Sequence, residues 1–222
     1  MDIKDKKVVI FDLDDTLYKE VDYVKSAFTE IAKYLSNNTV SLQAIVLNEM
    51  LRLFNNNEEV FKTILKKFES NLSLEELIEI YRLHIPNVKL TSSTKKVLQT
   101  LLSNQVPMGL LTDGRSVQQR NKIQALKIED FFEKIVISEE YGSEKPSKAN
   151  YLIFEQFFEA EKYIYVGDNL KKDFISANYL GWKTVCLLDN GENIHKQDFN
   201  IPVQYLPQHS ISQLDELLDL VF

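Results

Sequence analysis

Two groups of aspartates directly follow apolar runs of the sequence. Asp12, Asp14 and Asp15 come after the run 8–11, and Asp168 and Asp173 come after the run 163–166. An unperturbed aspartate has a pKa of about 3.9, so it is ionised at neutral pH and needs no activating base to act as a nucleophile. Carboxylates are also ligands that Mg²⁺ takes from proteins. These aspartates are therefore candidates for nucleophilic, acid–base or metal-binding chemistry.

Further polar residues follow two other apolar runs. Thr112 and Asp113 come after the run 108–111, and Lys145 stands beyond the run 135–137. A hydroxyl and an ammonium group can both donate hydrogen bonds to a bound anion. Each polar position also has a structural alternative: a solvated turn for the first aspartates, a helix cap for Thr112 and Asp113, and a surface position for Lys145. The later aspartates also suit a helix N-terminus.

The apolar runs have the composition of buried parallel strands. The run 8–11 is continuous and rich in β-branched residues, and similar apolar runs cover residues 108–111, 135–137, 163–166 and 184–188. Helical patterns separate the later runs, which predicts an α/β fold with a doubly wound parallel sheet. One predicted helix opens on a capping box of Ser116 with Gln119. Ligands bind at the carboxyl ends of such strands, so the polar positions should lie close together.

The stretch between the first two runs, residues 18–106, is much longer than a crossover requires. One helix with apolar residues at 97, 98, 101 and 102 supplies that crossover. The remainder has no glycine and no proline before Pro86, and its apolar spacing indicates four amphipathic helices. The fourth opens on a capping box of Ser73 with Glu76. We therefore predict a small helical bundle inserted over the end of the first strand.

In their order along the chain, the polar positions resemble the four motifs of the haloacid dehalogenase (HAD) superfamily, specifically of its phosphatases. The matching residues are Asp12, Asp14 and Thr16 for the first motif, Thr112 for the second, Lys145 for the third, and Gly167, Asp168 and Asp173 for the fourth. The resemblance implies a Rossmannoid core over residues 1–17 and 88–222 with strand order 5-4-1-2-3, and a helical cap over 18–87. A weaker similarity is to acylneuraminate-phosphate phosphatases and pyrimidine nucleotidases, which more often have Asn where this chain has Asp113.

The resemblance implies two catalytic carboxylates. Asp12 attacks phosphorus and forms an aspartyl phosphate, and Asp14 protonates the leaving oxygen and then deprotonates the attacking water. In the dehalogenases of the superfamily, the first motif resembles Asp-x-Tyr, since a halide leaving group needs no proton. Asp14 therefore favours phosphoryl transfer.

The remaining matched residues are expected to bind the metal and the phosphate. Mg²⁺ is the implied cofactor, and its expected ligands are Asp12, Asp168 and the backbone carbonyl of Asp14. Asp173 would orient the groups around the metal. The phosphate would be bound by the Thr112 hydroxyl, the Asp113 backbone amide and the Lys145 ammonium group.

Three functions remain open at the level of the sequence. The first is Mg²⁺-dependent hydrolysis of a small phosphate ester, either a sugar phosphate or a nucleoside monophosphate. The second is a phosphomutase that uses the same aspartyl phosphate, and the third is a phosphate-sensing or partner-binding protein without turnover. Substrate choice should lie in the cap, where the candidate contacts are Tyr18, Lys19, Tyr23, Arg52 and Arg82. His84, His195 and His209 are interpreted as structural.

Composition limits the partners that the chain is expected to bind. The 222 residues carry a net charge of −7, which argues against a nucleic-acid or membrane-surface partner. Cys186 is the single cysteine and cannot form an internal disulfide. Together with the absence of a signal-like or membrane-spanning apolar stretch, this predicts a cytoplasmic protein. The oligomeric state cannot be predicted from the sequence.

Overall fold

Six parallel strands form one sheet in the computed structural model, which describes residues 6–37 and 39–222. In chain order the strands are β1 (Lys7–Phe11), β2 (Met108–Thr112), β3 (Lys134–Ile137), β4 (Lys162–Gly167), β5 (Lys183–Leu187) and β6 (His209–Ile211). Their order in the sheet is β3-β2-β1-β4-β5-β6, and every neighbouring pair is parallel. The doubly wound sheet and the order 5-4-1-2-3 are confirmed. Residues 1–5 of the predicted core lie outside the described residues.

The sixth strand corrects one expectation from the sequence. Ile211, Leu214, Leu217 and Leu218 have helical spacing, so the sequence predicts one last helix that includes all four residues. In the structure Ile211 ends β6 and pairs with Leu187 of β5, and the helix begins only at Leu217. Pairing with the open edge of β5 satisfies backbone groups that a helix starting at Ile211 would leave exposed on that edge.

Ten α-helices are present among the described residues. They are α1 (Glu20–Leu35), α2 (Val40–Asn55), α3 (Val60–Lys67), α4 (Leu74–Leu83), α5 (Ser92–Ser103), α6 (Ser116–Leu126), α7 (Ser138–Tyr141), α8 (Ala149–Phe158), α9 (Phe174–Tyr179) and α10 (Leu217–Val221). Within the described ranges, no helix is long and apolar enough to cross a membrane.

Apolar side chains cover both faces of the sheet, because successive strand residues point to opposite sides. On one face, Val9 and Phe11 pack in a cluster that includes residues of α5, α6 and α10. On the other face, Val8 and Ile10 pack in a cluster that includes residues of α8 and α9. The central strand β1 is therefore buried on both sides, and its carboxyl end is fixed in the middle of the molecule.

Helices α1 to α4 form the segment that we call the four-helix insertion, residues 20–83. It has an apolar cluster of its own, centred on side chains such as Phe28, Ile31 and Met50. The predicted capping box at its fourth helix is present, since the Ser73 hydroxyl and the Glu76 carboxylate each accept from the other residue's backbone amide. The division at residues 17/18 and 87/88 stays a prediction.

The four-helix insertion is tied to the sheet domain near the end of β1. The carboxylate of Asp15 accepts from the backbone amide of Glu20, the first residue of α1, and from that of Ile194 in the loop after β5, both at 2.9 Å. On α6, the Asn121 side chain donates to the carbonyls of Leu83 and His84 at 3.2 and 3.3 Å. These bonds hold the insertion beside the carboxyl ends of the strands.

Candidate active site

The ends of three neighbouring strands meet at one cavity. Asp12 follows β1, Thr112 ends β2 and Asp168 follows β4, and these strands are adjacent in the sheet. The cavity has a volume of about 190 Å³. Six of the seven predicted site residues line it: Asp12, Asp14, Thr112, Asp113, Lys145 and Asp168. The fold thus brings together residues that are separated by more than 150 positions in the sequence.

Lys145 lies between two buried carboxylates. Its Nζ is 2.7 Å from Oδ1 of Asp12 and 2.7 Å from Oδ1 of Asp173, and it is 3.3 Å from the hydroxyl of Tyr165. Burial raises the pKa of Asp12 to about 7; the attraction of Lys145 opposes this rise and repulsion from Asp173 adds to it. The single ammonium group therefore does not compensate both carboxylates fully.

Asp173, the seventh predicted residue, lies behind the cavity and is fixed on all sides. Its Oδ2 accepts from the backbone amides of Asp168 and Asn169 at 3.1 and 2.8 Å, while Oδ1 accepts from Lys145 and Tyr165. A Cβ atom at Gly167 would overlap this carboxylate. Glycine at the end of β4 is therefore required by the close approach of Asp173.

The acidic residues fit a divalent cation. Carboxylate oxygens of Asp12, Asp168 and Asp173 lie within 4.8 Å of one another, and all three residues are buried. Burial, together with repulsion from Asp173 and Asp12, raises the pKa of Asp168 to about 9. Buried oxygen donors with excess negative charge match the preference of Mg²⁺. Since both oxygens of Asp173 already accept hydrogen bonds, Asp12 and Asp168 are the side chains that would hold the ion.

Asp14 is held on the side away from the cavity by three side chains. Lys122 Nζ lies 2.8 and 2.9 Å from its two oxygens, the Tyr18 hydroxyl donates to Oδ1 at 2.5 Å, and Gln119 donates to Oδ2 at 3.0 Å. Burial alone would raise the pKa of Asp14, but Lys122 and the hydrogen bonds from Tyr18 and Gln119 lower it below the ordinary value. The carboxylate is thus stabilised in its ionised form and fixed at the cavity wall.

Thr112 also contacts Gln119, which corrects the capping box expected at α6. The amide nitrogen of Gln119 donates to Thr112 Oγ1 at 2.5 Å. Ser116 is the first residue of α6 instead of its N-cap, and its hydroxyl donates to Glu140 at 2.6 Å. The local Ser–Gln pattern was misleading because both side chains find stronger partners elsewhere in the fold.

The carboxylate of Asp113 ties two loops together. Its Oδ1 accepts from the backbone amide of Lys145 at 3.0 Å, and its Oδ2 accepts from Lys172 Nζ at 2.9 Å. Both oxygens are therefore engaged at the edge of the cavity. The part that Asp113 can offer to a bound phosphate is therefore its backbone amide, while its side chain positions Lys145.

Of the candidate cap contacts, two lie next to the site. Tyr18 binds Asp14, and Lys19 Nζ lies 2.5 Å from Oδ1 of Asn193, a neighbour of Asp168. Tyr23 is buried against Tyr81 and donates to its carbonyl. The other two are exposed: Arg52 pairs with Glu49 and Glu58 on the surface of the insertion, and Arg82 is exposed on α4.

Several residues near the site received no functional interpretation from the sequence, and four of them contact or adjoin the proposed catalytic and metal-binding groups. Gln119 and Lys122 lie behind Asp14, Asn193 donates to Asp168 Oδ2 at 2.9 Å, and His195, interpreted as structural, lines the cavity. For Gln119 and Lys122 a signal existed, since they occupy the apolar stripe of α6 together with Ile123 and Leu126. Asn193 lies in a loop without periodicity, so no comparable signal was available.

Comparison with known proteins shows which family this chain matches. A family model described as haloacid dehalogenase-like hydrolase matches residues 9–187. The chain is 28 % identical to a glyceraldehyde 3-phosphate phosphatase of Methanocaldococcus jannaschii, with 97 % of this chain and 96 % of the relative covered. It is 30 % identical to a glyceraldehyde 3-phosphate phosphatase of Pyrococcus abyssi, covering 81 % and 80 % of the two chains.

A similar fold is found in a solved structure. The HAD-hydrolase YfnB from Bacillus subtilis, which is bound to magnesium, superimposes with a TM-score of 0.69. The match covers 98 % of this chain and 99 % of that chain, at 21 % sequence identity. At this identity the similarity establishes the arrangement of the sheet and the inserted helices.

Proposed function

This chain belongs to the haloacid dehalogenase-like hydrolases, and we propose that it is a magnesium-dependent phosphomonoesterase with Asp12 as its nucleophile. One observation carries the proposal. Asp12, Thr112 and Asp168 come from three separate strand ends, Lys145 comes from the loop after α7, and all four line one cavity with Asp14 at its wall. This combination offers a nucleophile, donors for an anion, oxygen ligands for a cation and a proton-transfer group within a single small space.

Phosphate binding in this site depends on cancelling the repulsion between two anions. A phosphate dianion that approaches Asp12 meets the ammonium group of Lys145, which is already 2.7 Å from the attacking carboxylate. The Thr112 hydroxyl is a further donor to a phosphate oxygen. Asp12 then forms a bond to phosphorus as the bond to the leaving oxygen breaks, and water later releases the phosphoryl group from Asp12.

Asp14 is proposed as the acid and base of the two half-reactions. To act as the acid it must bind a proton when the substrate binds, and the negative charge of the phosphate favours this protonated form. It gives that proton to the leaving oxygen in the first half-reaction and takes one back from the attacking water in the second. Its side chain lines the cavity on one side and is held by Lys122 on the other. A carboxylate fixed in this way keeps the same position for both proton transfers.

Mg²⁺ is proposed to bind between Asp12 and Asp168, with the carbonyl of Asp14 as a further ligand. When bound, the ion supplies positive charge that offsets the excess of buried carboxylates and the charge of the phosphate. Asp173 and Asn193 position these ligands through the hydrogen bonds described above.

The proposed substrate is a small sugar phosphate such as glyceraldehyde 3-phosphate. Support comes from the names of the relatives that align over most of the chain. The cavity volume of about 190 Å³ also lies below the roughly 300–1,000 Å³ of pockets for drug-sized ligands, which favours a triose phosphate over a nucleotide. With Cys186 as the single cysteine, we propose a reducing compartment, the cytoplasm, as its location.

The test is a panel of phosphate esters with and without Mg²⁺, with Asp12→Asn as the blank. We expect Mg²⁺-dependent release of inorganic phosphate, with a higher kcat/KM for glyceraldehyde 3-phosphate than for UMP. A rearranged ester in place of free phosphate would identify a mutase instead. Absence of turnover across the panel would contradict the proposal and support a phosphate-binding protein.

The role of Asp14 has a separate test. Asp14→Asn removes the proton-transfer group, so turnover of an alkyl phosphate should fall by about 10²–10⁴-fold. Undiminished turnover would exclude Asp14 as the acid and base.

A further inference from the structure

A buried lysine on α6 contacts Asp14 from outside the cavity. The Lys122 side chain is 1 % exposed, and its Nζ lies 2.8 and 2.9 Å from the two oxygens of Asp14. The same Nζ is 4.5 Å from the centre of the Tyr23 ring in α1 and 3.9 Å from the carboxylate of Glu20. Burying a lysine is costly unless its charge is paired, and an apolar residue would fill this stripe of α6 at less cost. The position therefore calls for an explanation beyond packing.

Gln119 lies one helical turn earlier and connects Asp14 with Thr112. Its Nε2 is 3.0 Å from Oδ2 of Asp14 and 2.5 Å from Oγ1 of Thr112. An ionised carboxylate only accepts hydrogen bonds, so the amide must turn its NH₂ group toward Asp14. The same NH₂ group then donates to the oxygen of Thr112, which leaves the threonine's own hydroxyl hydrogen available for another acceptor. Thr112 lines the cavity, so its hydroxyl can donate to a ligand bound there.

We propose that Lys122 and Gln119 are positioning residues of the phosphatase site. Lys122 fixes the carboxylate of Asp14 at the cavity wall, facing the leaving oxygen. Gln119 directs the Thr112 hydroxyl hydrogen toward the substrate phosphate. This inference rests on the proposed function, since both residues act through groups that take part in that reaction. Neither residue belongs to the set that lines the cavity, so their effects must pass through Asp14 and Thr112.

The variants Lys122→Met and Gln119→Leu remove the polar group and keep side-chain size. Matched controls are Lys96→Met and Gln124→Leu, at exposed positions of α5 and α6. Each variant of the full chain is assayed with Mg²⁺ on two substrates, glycerol phosphate and 4-nitrophenyl phosphate. The first has a poor leaving group that needs a proton and the second a good one that needs little, so the ratio of their kcat/KM values reports on Asp14 as the acid. The inhibition constant of inorganic phosphate reports on Thr112.

We expect Lys122→Met to lower kcat/KM for glycerol phosphate about 10–100-fold and kcat/KM for 4-nitrophenyl phosphate far less, because kcat/KM covers only the steps up to transfer of the phosphoryl group to Asp12. Gln119→Leu should raise the inhibition constant of inorganic phosphate about tenfold. The controls should match the wild type. Lys122→Arg retains a charged donor and should restore most of the wild-type ratio between the two substrates. If Lys122→Met is too unstable to assay, Lys122→Gln, which removes the charge and keeps a polar side chain, should lower the same ratio, and an unchanged ratio would overturn the inference.

Double-mutant cycles separate positioning from a general structural effect. Adding Lys122→Met to Asp14→Asn, or Gln119→Leu to Thr112→Val, should cost less than about twofold, because the partner is already lost. Full additivity, or equal losses on both substrates, would overturn the inference while leaving a phosphatase. Lack of turnover by the wild-type chain would instead overturn the proposed function, and this inference with it.

Discussion

Replacing Lys145 by methionine removes the ammonium group that is paired with two buried carboxylates and keeps the length of the side chain. In the wild type, Nζ is 2.7 Å from both Asp12 and Asp173, and the Lys145 side chain is 4 % exposed. Removing one partner from a buried ion pair costs about 3–5 kcal/mol, since the remaining charges stay buried without compensation. In a chain of 222 residues, each kcal/mol lowers Tm by roughly 2–4 °C, so a decrease of about 6–20 °C is expected.

The assay is urea unfolding at neutral pH with a chelator, which gives the free energy of unfolding without bound metal. Lys96→Met, at an exposed position of α5, is the control and should match the wild type. Because the variant retains the carboxylates, saturating Mg²⁺ should stabilise it more than it stabilises the wild type. A free energy of unfolding within 1 kcal/mol of the wild type, at an unchanged m-value, would refute the reasoning.

Three further predictions concern the same site and its surroundings. Gly167→Ala should lower the free energy of unfolding by about 1–3 kcal/mol, because the new Cβ meets the fixed carboxylate of Asp173; an unchanged urea midpoint would contradict this. Mg²⁺ at about 100 times its Kd should stabilise the wild type by about 2.7 kcal/mol and Asp168→Asn much less, as measured by thermal unfolding; equal shifts would exclude Asp168 as a ligand. Burial lowers the pKa of His84, so below about pH 6.5 the unfolded chain binds a proton that the folded chain excludes, and stability falls as the pH falls. The free energy of unfolding of His84→Gln should fall less steeply between pH 7 and 5 than that of the wild type. An identical slope would contradict the attribution of this pH dependence to His84.

Much of the architecture could be predicted because its signals are local. The run 8–11 is apolar at every position, which is typical of a strand buried on both faces, and β1 is such a strand. The parallel order of the sheet then brings Asp12, Thr112 and Asp168 to one edge. The same motifs predict the family and the phosphatase class, and the comparisons confirm both predictions.

The parts that the sequence did not reveal depend on contacts between distant segments. Gln119 fits a capping box when only its neighbours are considered, but its amide binds Asp14, which is 105 positions away in the chain. Lysine is a residue type that is mostly exposed, so only the place of Lys122 in the apolar stripe of α6 hints at its burial, and it is buried because Asp14 and Tyr23 lie opposite it. The short strand β6 forms because the edge of β5 is open, which no pattern within residues 209–211 indicates. Such positions are determined by their tertiary partners.

The central claim is that Asp12 carries the phosphoryl group during turnover. The most direct measurement is mass spectrometry of the chain after rapid acid quenching of a reaction with 4-nitrophenyl phosphate and Mg²⁺. Asp14→Asn is the preferred form of the chain, because it lacks the base that would hydrolyse the intermediate. The account predicts one phosphoryl group per chain, located on Asp12, and none in the double variant Asp12→Asn/Asp14→Asn. Turnover by the wild-type chain with no phosphoryl group detectable on Asp12, or undiminished turnover by Asp12→Asn, would contradict it.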